Sequence, residues 1–309
     1  MIATARSERG QVTVMAAIFV VILIGMAGLV LDVGSWFRQQ RVQQTTVDAA
    51  ALAGAQSLPG SPSGAVAAAN DYANRNGGIA GASISVVSKY SPNDAVVVSQ
   101  TRTASGFFSQ FFNMPFVSIK AKATAIAEVP EQAQYAAPIV VNIKHPMLQG
   151  TPGCPCFNVP TTIPLGANGA PGSFALVDLT YDDPTGTIGA STLASWITKG
   201  FDQYLPLGVY FSDPGTKWNN STIQNALIGR FNTDLLFPVY DTLTMQGSNA
   251  EYHIVAWAGF HLTNVSASGD TGSIDGYFTQ VTWQGVLNQA GLPNPYIPDL
   301  GVHSVALVD

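Results

Sequence analysis

The chain has 309 residues, of which 47% are hydrophobic, 10% aromatic and only 10% charged, with a formal net charge of -6. Soluble domains carry about a quarter charged residues, so disorder sustained by charge is excluded. An acidic chain also lacks the basic face that nucleic acid requires, and two cysteines are too few for a disulfide-stapled scaffold or a four-cysteine zinc site.

The charge changes sign along the chain. Up to Pro130 there are nine Lys or Arg against six Asp or Glu, and from Glu131 onward four against thirteen. The length suits about two domains. The basic part suits an anionic lipid surface, the acidic part open solvent.

From Gly10 to Leu31 no residue is charged. As a helix this stretch is about 33 Å long, enough to cross a hydrocarbon core of about 30 Å. Its only polar side chains, Gln11 and Thr13, lie at its start. A cleaved signal peptide has an apolar run of only about 7–15 residues and a small-residue cleavage site. Here the run is longer and leads into Asp32, Trp36, Phe37, Arg38 and Arg41, so a retained transmembrane helix is expected over about 11–33. Arg6 and Arg9 precede it, Arg38 and Arg41 follow it, and the long acidic remainder is exportable. The expected orientation is N-terminus cytoplasmic, C-terminal domains extracytoplasmic.

The helix should run beyond the membrane, because no proline occurs before Pro59. Val33, Phe37, Gln40 or Arg41, and Gln44 form a partly amphipathic stripe. Asp48-Ala49-Ala50-Ala51-Leu52-Ala53-Gly54-Ala55 is small enough for another helix to approach closely, or for the helix to rest on the next domain; both readings stand.

Four pieces come in a specific order: Glu8-Arg9-Gly10-Gln11, Asp32-Val33-Gly34, Arg41-Val42-Gln43 and Asp48 to Ala55. In this the first 58 residues resemble TadE/TadG-like proteins of the Flp (Tad) pilus system. The resemblance implies an inner-membrane anchored, pilin-like protein. Prepilins are cut after a Gly and carry Glu at the fifth mature position; here the cut would fall at Gly10–Gln11, and the fifth residue is Met15. That departure points to the TadG-like branch of accessory or minor components, and leaves cleavage open.

A small α/β pilin-like head is expected over 60–130. Gly60 to Gly64 reads as a linker and Ala65 to Asn76 as a helix stopped by Gly77-Gly78. Ser83–Lys89 and Ala95–Thr101 read as a hairpin turning at Ser91-Pro92-Asn93-Asp94. Ser105 is the expected cap of a short helix, Gly106 to Phe112. Its Phe107, Phe108, Phe111 and Phe112 are expected to be core, with a docking surface as the alternative. Val117 to Ala127 alternates as a strand with Lys120, Lys122 and Thr124 on the wet face. This order is similar to the head that follows the anchor in TadE/TadG-like chains.

After Val129 to Gln134 the composition shifts. The runs Pro138–Ile143, Ser173–Leu179, Leu235–Tyr240, Tyr252–Leu262, Ile274–Thr282 and Val302–Val308 predict short strands of a β-rich C-terminal domain, 136–309. Helices are expected at Ser191–Lys199 and at Thr222–Gly229, the second capped by Thr222 or Ser221. Gly172 to Leu179, Ala194 to Gly200, Leu236 to Asp241, Tyr252 to Leu262 and Gly272 to Phe278 resemble the outer domain of TadG-like proteins. That implies a surface domain of unassigned biochemical role. The fold class is thus α+β.

Active-site signatures such as HExxH, GxSxG, GxxxxGK[ST] and GxGxxG are absent. His145, His253, His261 and His303 are expected to be structural or surface residues, with His253 and His261 on one face of one strand but too far apart to share a metal. Cys154-Pro155-Cys156 allows a local disulfide, free thiols or pairing between chains. Asp182-Asp183 and Asp270 with Asp275 lie in loops of a kind that bind calcium, yet read better as solvated turns. The metal-dependent adhesion loop Asp-x-Ser-x-Ser of some TadG relatives is missing. No catalytic, cofactor-binding or metal residue is therefore assigned, and no enzyme is expected. The expected function is a membrane-anchored pilus-assembly protein or minor pilin-like component of a Flp/Tad-type pilus. Its partners would be pilin-like or Tad secretion-machinery proteins and membrane lipid, not nucleic acid. The alternatives are a surface adhesin or binding module with an unknown ligand and, more remotely, an exported hydrolase.

Overall fold

The computed structural model describes residues 9–76, 81–150, 153–166, 175–180, 188–213, 217–245, 250–268, 271–287, 294 and 296–308. Arg6, Glu8, the helix stop Gly77-Gly78, Gly172 to Phe174, Asp182-Asp183 and Asp270 lie outside the described residues.

One unbroken helix, α1 (Arg9–Ala55), is about 70 Å long. It has two environments. Between Val12 and Leu31 nearly every large side chain is exposed, whereas from Val47 to Ala55 Val47, Ala50, Ala51, Ala53 and Ala55 are buried. The second helix, α2 (Pro62–Arg75), starts three residues earlier than expected. Ser61 caps it by accepting from the Gly64 N–H, and Pro62 fills the first turn, where no N–H is needed.

Both helices cover one face of a five-stranded sheet. Strands β1 (Ser83–Val87), β2 (Ala95–Ser105) and β3 (Phe116–Glu128) form its antiparallel start. The β1–β2 turn is tied by Asp94, whose carboxylate accepts from the N–H groups of Lys89 (2.6 Å), Tyr90 (2.7 Å) and Ser91 (2.9 Å). The core beneath the helices is built of small side chains: Ala65, Ala69 and Ala73 from α2, Val96 and Val98 from β2, and Ala121, Ala123, Ala125 and Ala127 from β3. Gly54 marks the closest approach, since a Cβ there would lie 2.8 Å from the Ala65 carbonyl oxygen. Lys120 and Lys122 face solvent as expected, while Thr124 is half-buried.

Beyond Glu128 the chain forms short strands β4 (Gln132–Ala133) and β5 (Val141–Asn142), then β6 (Pro160–Gly166), helix α3 (Ala190–Lys199), β7 (Leu205–Pro206), β8 (Gly208–Phe211), helix α4 (Ser221–Ile228) and the long strands β9 (Thr233–Thr244), β10 (Glu251–Ser268) and β11 (Thr271–Thr279). A six-stranded sheet has the order β5-β9-β10-β11-β6, with β8 also on β10. The cap of α4 is Asn220, whose side chain accepts from the Thr222 N–H, rather than Ser221 or Thr222. This region buries large rings. Phe237 stacks on Phe260 at 5.5 Å, Phe278 meets Phe260 edge-on at 5.2 Å, and Trp218, Trp257, Tyr210 and Tyr252 are fully enclosed.

Two strands cross back to the first sheet. β12 (Val281–Thr282) and β14 (Val302–Val308) complete it in the order β1-β2-β3-β14-β12. The last apolar run therefore pairs antiparallel with β3, Val305 opposite Ala127, instead of joining the six-stranded sheet. The remaining strand, β13 (Gly285–Val286), pairs with β4, which pairs with β7. The class is α+β, with a long apolar N-terminal helix and a β-rich C-terminal region.

Candidate functional site

The functional features of this chain gather where α1 leaves its apolar stretch. Asp32 follows the last apolar residue, and its side chain is only 5% exposed. Its carboxylate accepts three backbone N–H groups from a loop 75 to 77 residues away: Phe107 at 2.9 Å, Phe108 at 2.8 Å and Ser109 at 2.7 Å. Ser109 opens a short 3-10 helix, Ser109–Phe112, and Phe107 and Phe108 lead into it, so Asp32 holds the start that sequence assigns to Ser105. Ser105 instead ends β2, and its carbonyl accepts the Trp36 indole N–H at 3.2 Å.

One turn below Asp32, the ring of Phe108 lies on Gly28, where a Cβ would collide with it. The other phenylalanines overturn the core expectation. Phe107 is 73% exposed and Phe111 84%, and Phe112, Met114 and Phe116 are also exposed; only Phe108 is half-buried. The reason is position. The loop joins the outer ends of β2 and β3 and docks at Gly28 to Asp32, whereas the buried core of the head lies along α1 from Val47 to Ala55.

Further along α1, polar side chains lock the helix to the sheet. Gln43 Nε2 donates to the Gln100 carbonyl (3.0 Å), Gln44 Nε2 to the Lys122 carbonyl (2.9 Å), and the Thr46 hydroxyl to the Asn76 carbonyl (3.1 Å). The stripe Asp48 to Ala55 then packs on α2 and β2. Of its two readings, the structure takes the one in which the helix rests on its own next domain. Arg38, Arg41, Arg102, Lys120 and Lys122 are exposed around this neck.

The other candidates serve the fold. His253 Nδ1 pairs with Asp241 at 2.8 Å and His261 Nδ1 with Asp234 at 2.7 Å, each histidine on β10 with its own carboxylate on β9. His261 also stacks on Tyr277 at 4.7 Å. Burial lowers the basicity of His145, which sits 3.4 Å from the Thr162 carbonyl. Asp275 accepts from Thr162 (2.7 Å) and Asn264 (3.0 Å), a tie across three strands. Cys154 and Cys156 form a disulfide with a Cα–Cα distance of 4.4 Å. Among the described residues no three of His, Cys, Asp and Glu gather as metal ligands.

Where β14 meets β3, Glu128, Asp94, Asp299 and His303 line one small cavity. Burial, then the hydrogen bond and charge of Asp94, push the Glu128 carboxyl from its ordinary 4.5 up to about 7. Burial works against the charge of Asp299 too, but His303 Nε2 at 3.3 Å and the Gly301 N–H hold its carboxyl below the usual value. Sequence alone showed none of this cluster, nor the role of Asp32; its one trace was the Asp-x-Gly at the end of the apolar run.

These features define a class: a protein with, among the described residues, one helix long and apolar enough to cross a membrane, prolonged into the support of a sheet. Residues 10–57 match the Tad family model, Flp pilus-assembly TadE/G-like. The N-terminal segment is thus similar to TadE/G-like domains, and this match supports a pilus-associated role. The match covers α1 except Arg9 and the first two residues of the turn after it. No curated protein and no solved structure gives a match to the chain.

Proposed function

We propose that the chain is a membrane-anchored pilus-assembly protein or minor pilin-like component of a Flp/Tad-type pilus, of the TadG-like branch. The observation that carries this reading is the coincidence of the family match with α1. One helix presents an apolar, uncovered first half and buries its second half in a small head, so that anchor and head move as one rod. In this reading the N-terminus is cytoplasmic. The three parts are the anchor segment 1–58, the head 60–130 and the β-rich region 136–309, the last two outside the membrane. The exposed Arg38 and Arg41 weaken the charge asymmetry behind this orientation, while the Cys154–Cys156 disulfide suits an oxidising compartment.

The role is structural, without catalysis. The small residues of α1 are occupied by the head, so contacts with pilin-like or Tad secretion-machinery proteins fall to the exposed face between Val12 and Leu31 and to the outer surface of the β-rich region. The test is mass spectrometry of filaments sheared from cells, set against washed membranes. A peptide beginning at Gln11 in the filaments identifies a processed minor component. Retention in the membrane with residues 1–10 attached identifies an assembly factor. Unchanged level and location in cells lacking the pilus would reject the pilus reading in favour of a surface adhesin or binding module.

A further inference from the structure

We propose that the loop Gly106–Phe116 is a second membrane-inserting element, seated at the acyl-chain and headgroup boundary of the leaflet from which α1 emerges. The inference rests on the reading of Val12 to Leu31 as membrane-spanning. Its first support is continuity. The Asp32 carboxylate and the Phe108–Gly28 contact hold the loop beside the last turn of the apolar stretch. The exposed rings of Phe107, Phe111, Phe112 and Phe116 therefore extend the lipid-facing surface of the helix sideways. A bilayer that covers Val30 and Leu31 reaches these rings as well.

The second support is the state of the loop backbone. Irregular chain is tolerated at membrane depth only where its polar groups are satisfied internally. Here Asp32 takes the N–H groups of Phe107, Phe108 and Ser109. The Gly106 N–H donates to the Pro115 carbonyl, Phe111 to Phe108, Asn113 to Gln110, and Met114 to Ser109. Pro115 has no N–H. The Ser109 hydroxyl donates to the Met114 carbonyl at 2.7 Å, and Gln110 Nε2 to the Gly106 carbonyl at 2.9 Å. The loop thus exposes its rings while much of its backbone is hydrogen-bonded within the loop or to Asp32, with Gln110 and Asn113 as its exposed polar side chains.

The third support is the placement of charge. Lys120 and Lys122 stand four and six residues up β3 from Phe116, and Arg38 and Arg41 lie one to two turns beyond the loop on α1. An apolar tip below a basic collar is the pattern of an element that lies in a bilayer interface with anionic lipid. With two insertion points, α1 and the loop, the head cannot swivel about the anchor, and the β-rich region is presented at a fixed tilt.

The test uses the full chain in vesicles of phosphatidylcholine with phosphatidylglycerol. Cys154→Ser and Cys156→Ser are combined in turn with Phe111→Cys, Ile22→Cys or Ile228→Cys, and each single thiol carries a nitroxide. Collisions with oxygen, which concentrates in hydrocarbon, are compared with collisions with a water-soluble nickel chelate. The expected result is hydrocarbon at position 22, water at position 228, and a depth of about 5–10 Å below the headgroups at position 111. Water at position 111 with hydrocarbon at position 22 would overturn the insertion and leave the span intact. Shielding of position 111 from both reagents would mean that a protein surface covers the loop, which also overturns it. Water at all three positions would remove the span and the insertion together.

Discussion

The sheet that carries the helices and the β-rich sheet solve the same packing problem with opposite materials. Beneath α1 and α2 the core is alanine and valine; around β9, β10 and β11 it is Phe237, Trp257, Phe260, Phe278 and their neighbours. Small side chains let two helices lie flat on a sheet, as in close helix packing generally, but each contributes little buried area. The head offsets this with directional ties to backbone from α1: Gln43 and Gln44 to the sheet, Thr46 to the end of α2, and Asp32 to the loop at Phe107 to Ser109. The β-rich region relies on area and has room for rings. The exposed phenylalanines of the head, Phe107, Phe111, Phe112 and Phe116, lie on the side of the apolar span.

The largest expected effect tests the aromatic half. Phe260→Ala should destabilise the protein by about 3–5 kcal/mol, read by denaturant unfolding in detergent. A loss under about 1 kcal/mol would mean that the site collapses freely and the ring stack is not organising that core. In the head the corresponding break is electrostatic. Asp32→Ala leaves three N–H donors without an acceptor and should cost about 2–3 kcal/mol, with faster hydrogen exchange at the amides of residues 107–109 than anywhere in β9. Gly54→Val tests the small-residue packing directly. The added methyl groups meet the Ala65 carbonyl, and about 1–3 kcal/mol should be lost, whereas the same substitution on a spacious helix face would be neutral.

The junction between the two regions should respond to pH. The Glu128 carboxyl binds its proton more tightly in the folded chain, at about 7 against 4.5 ordinarily. Its contribution to stability is therefore complete below the ordinary value and lost as pH rises through about 7. Glu128→Gln should flatten that decline and gain about 1–2 kcal/mol at pH 8, measured as unfolding free energy from pH 4 to 8. The smallest effect belongs to the exposed rings. Phe111→Ser should change stability in detergent by less than about 0.5 kcal/mol; a larger loss would show that the ring supports the head after all.

Local pattern carried much of the architecture. The uncharged stretch from Gly10 to Leu31, the absence of proline before Pro59, and the alternation in Val117 to Ala127 each report one element's own surroundings, and α1 and β3 appear nearly where expected. The long strands β9, β10 and β11 follow from apolar runs of Val, Ile, Phe and Tyr for the same reason. Short strands were less legible. β6 begins and contains proline, and the expected strand at Pro138–Ile143 is reduced to Val141–Asn142 with isolated bridges, Ile139 opposite Leu176 among them.

The phenylalanines depend on more than local pattern. Aromatics at helical spacing usually mark a core, and nothing within Gly106 to Phe112 says otherwise. Their exposure depends on where the loop docks, at Gly28 and Asp32 of α1, away from the alanine core under the helices.

By itself the sequence determined the apolar anchor, its continuation as one long helix, the α+β class and the resemblance of the first segment to TadE/G-like proteins. The first three rest on composition and periodicity within a few turns of chain, the resemblance on four short pieces in a specific order. Only the tertiary structure decided that Asp32 holds the loop at Phe107 to Ser109, that β14 joins β3, that the four phenylalanines do not form the core, and that Glu128 meets Asp94, Asp299 and His303. Each of those joins residues remote in sequence. A carboxylate finds its donors, and a ring its exposure, only when packing has settled which surfaces are already taken.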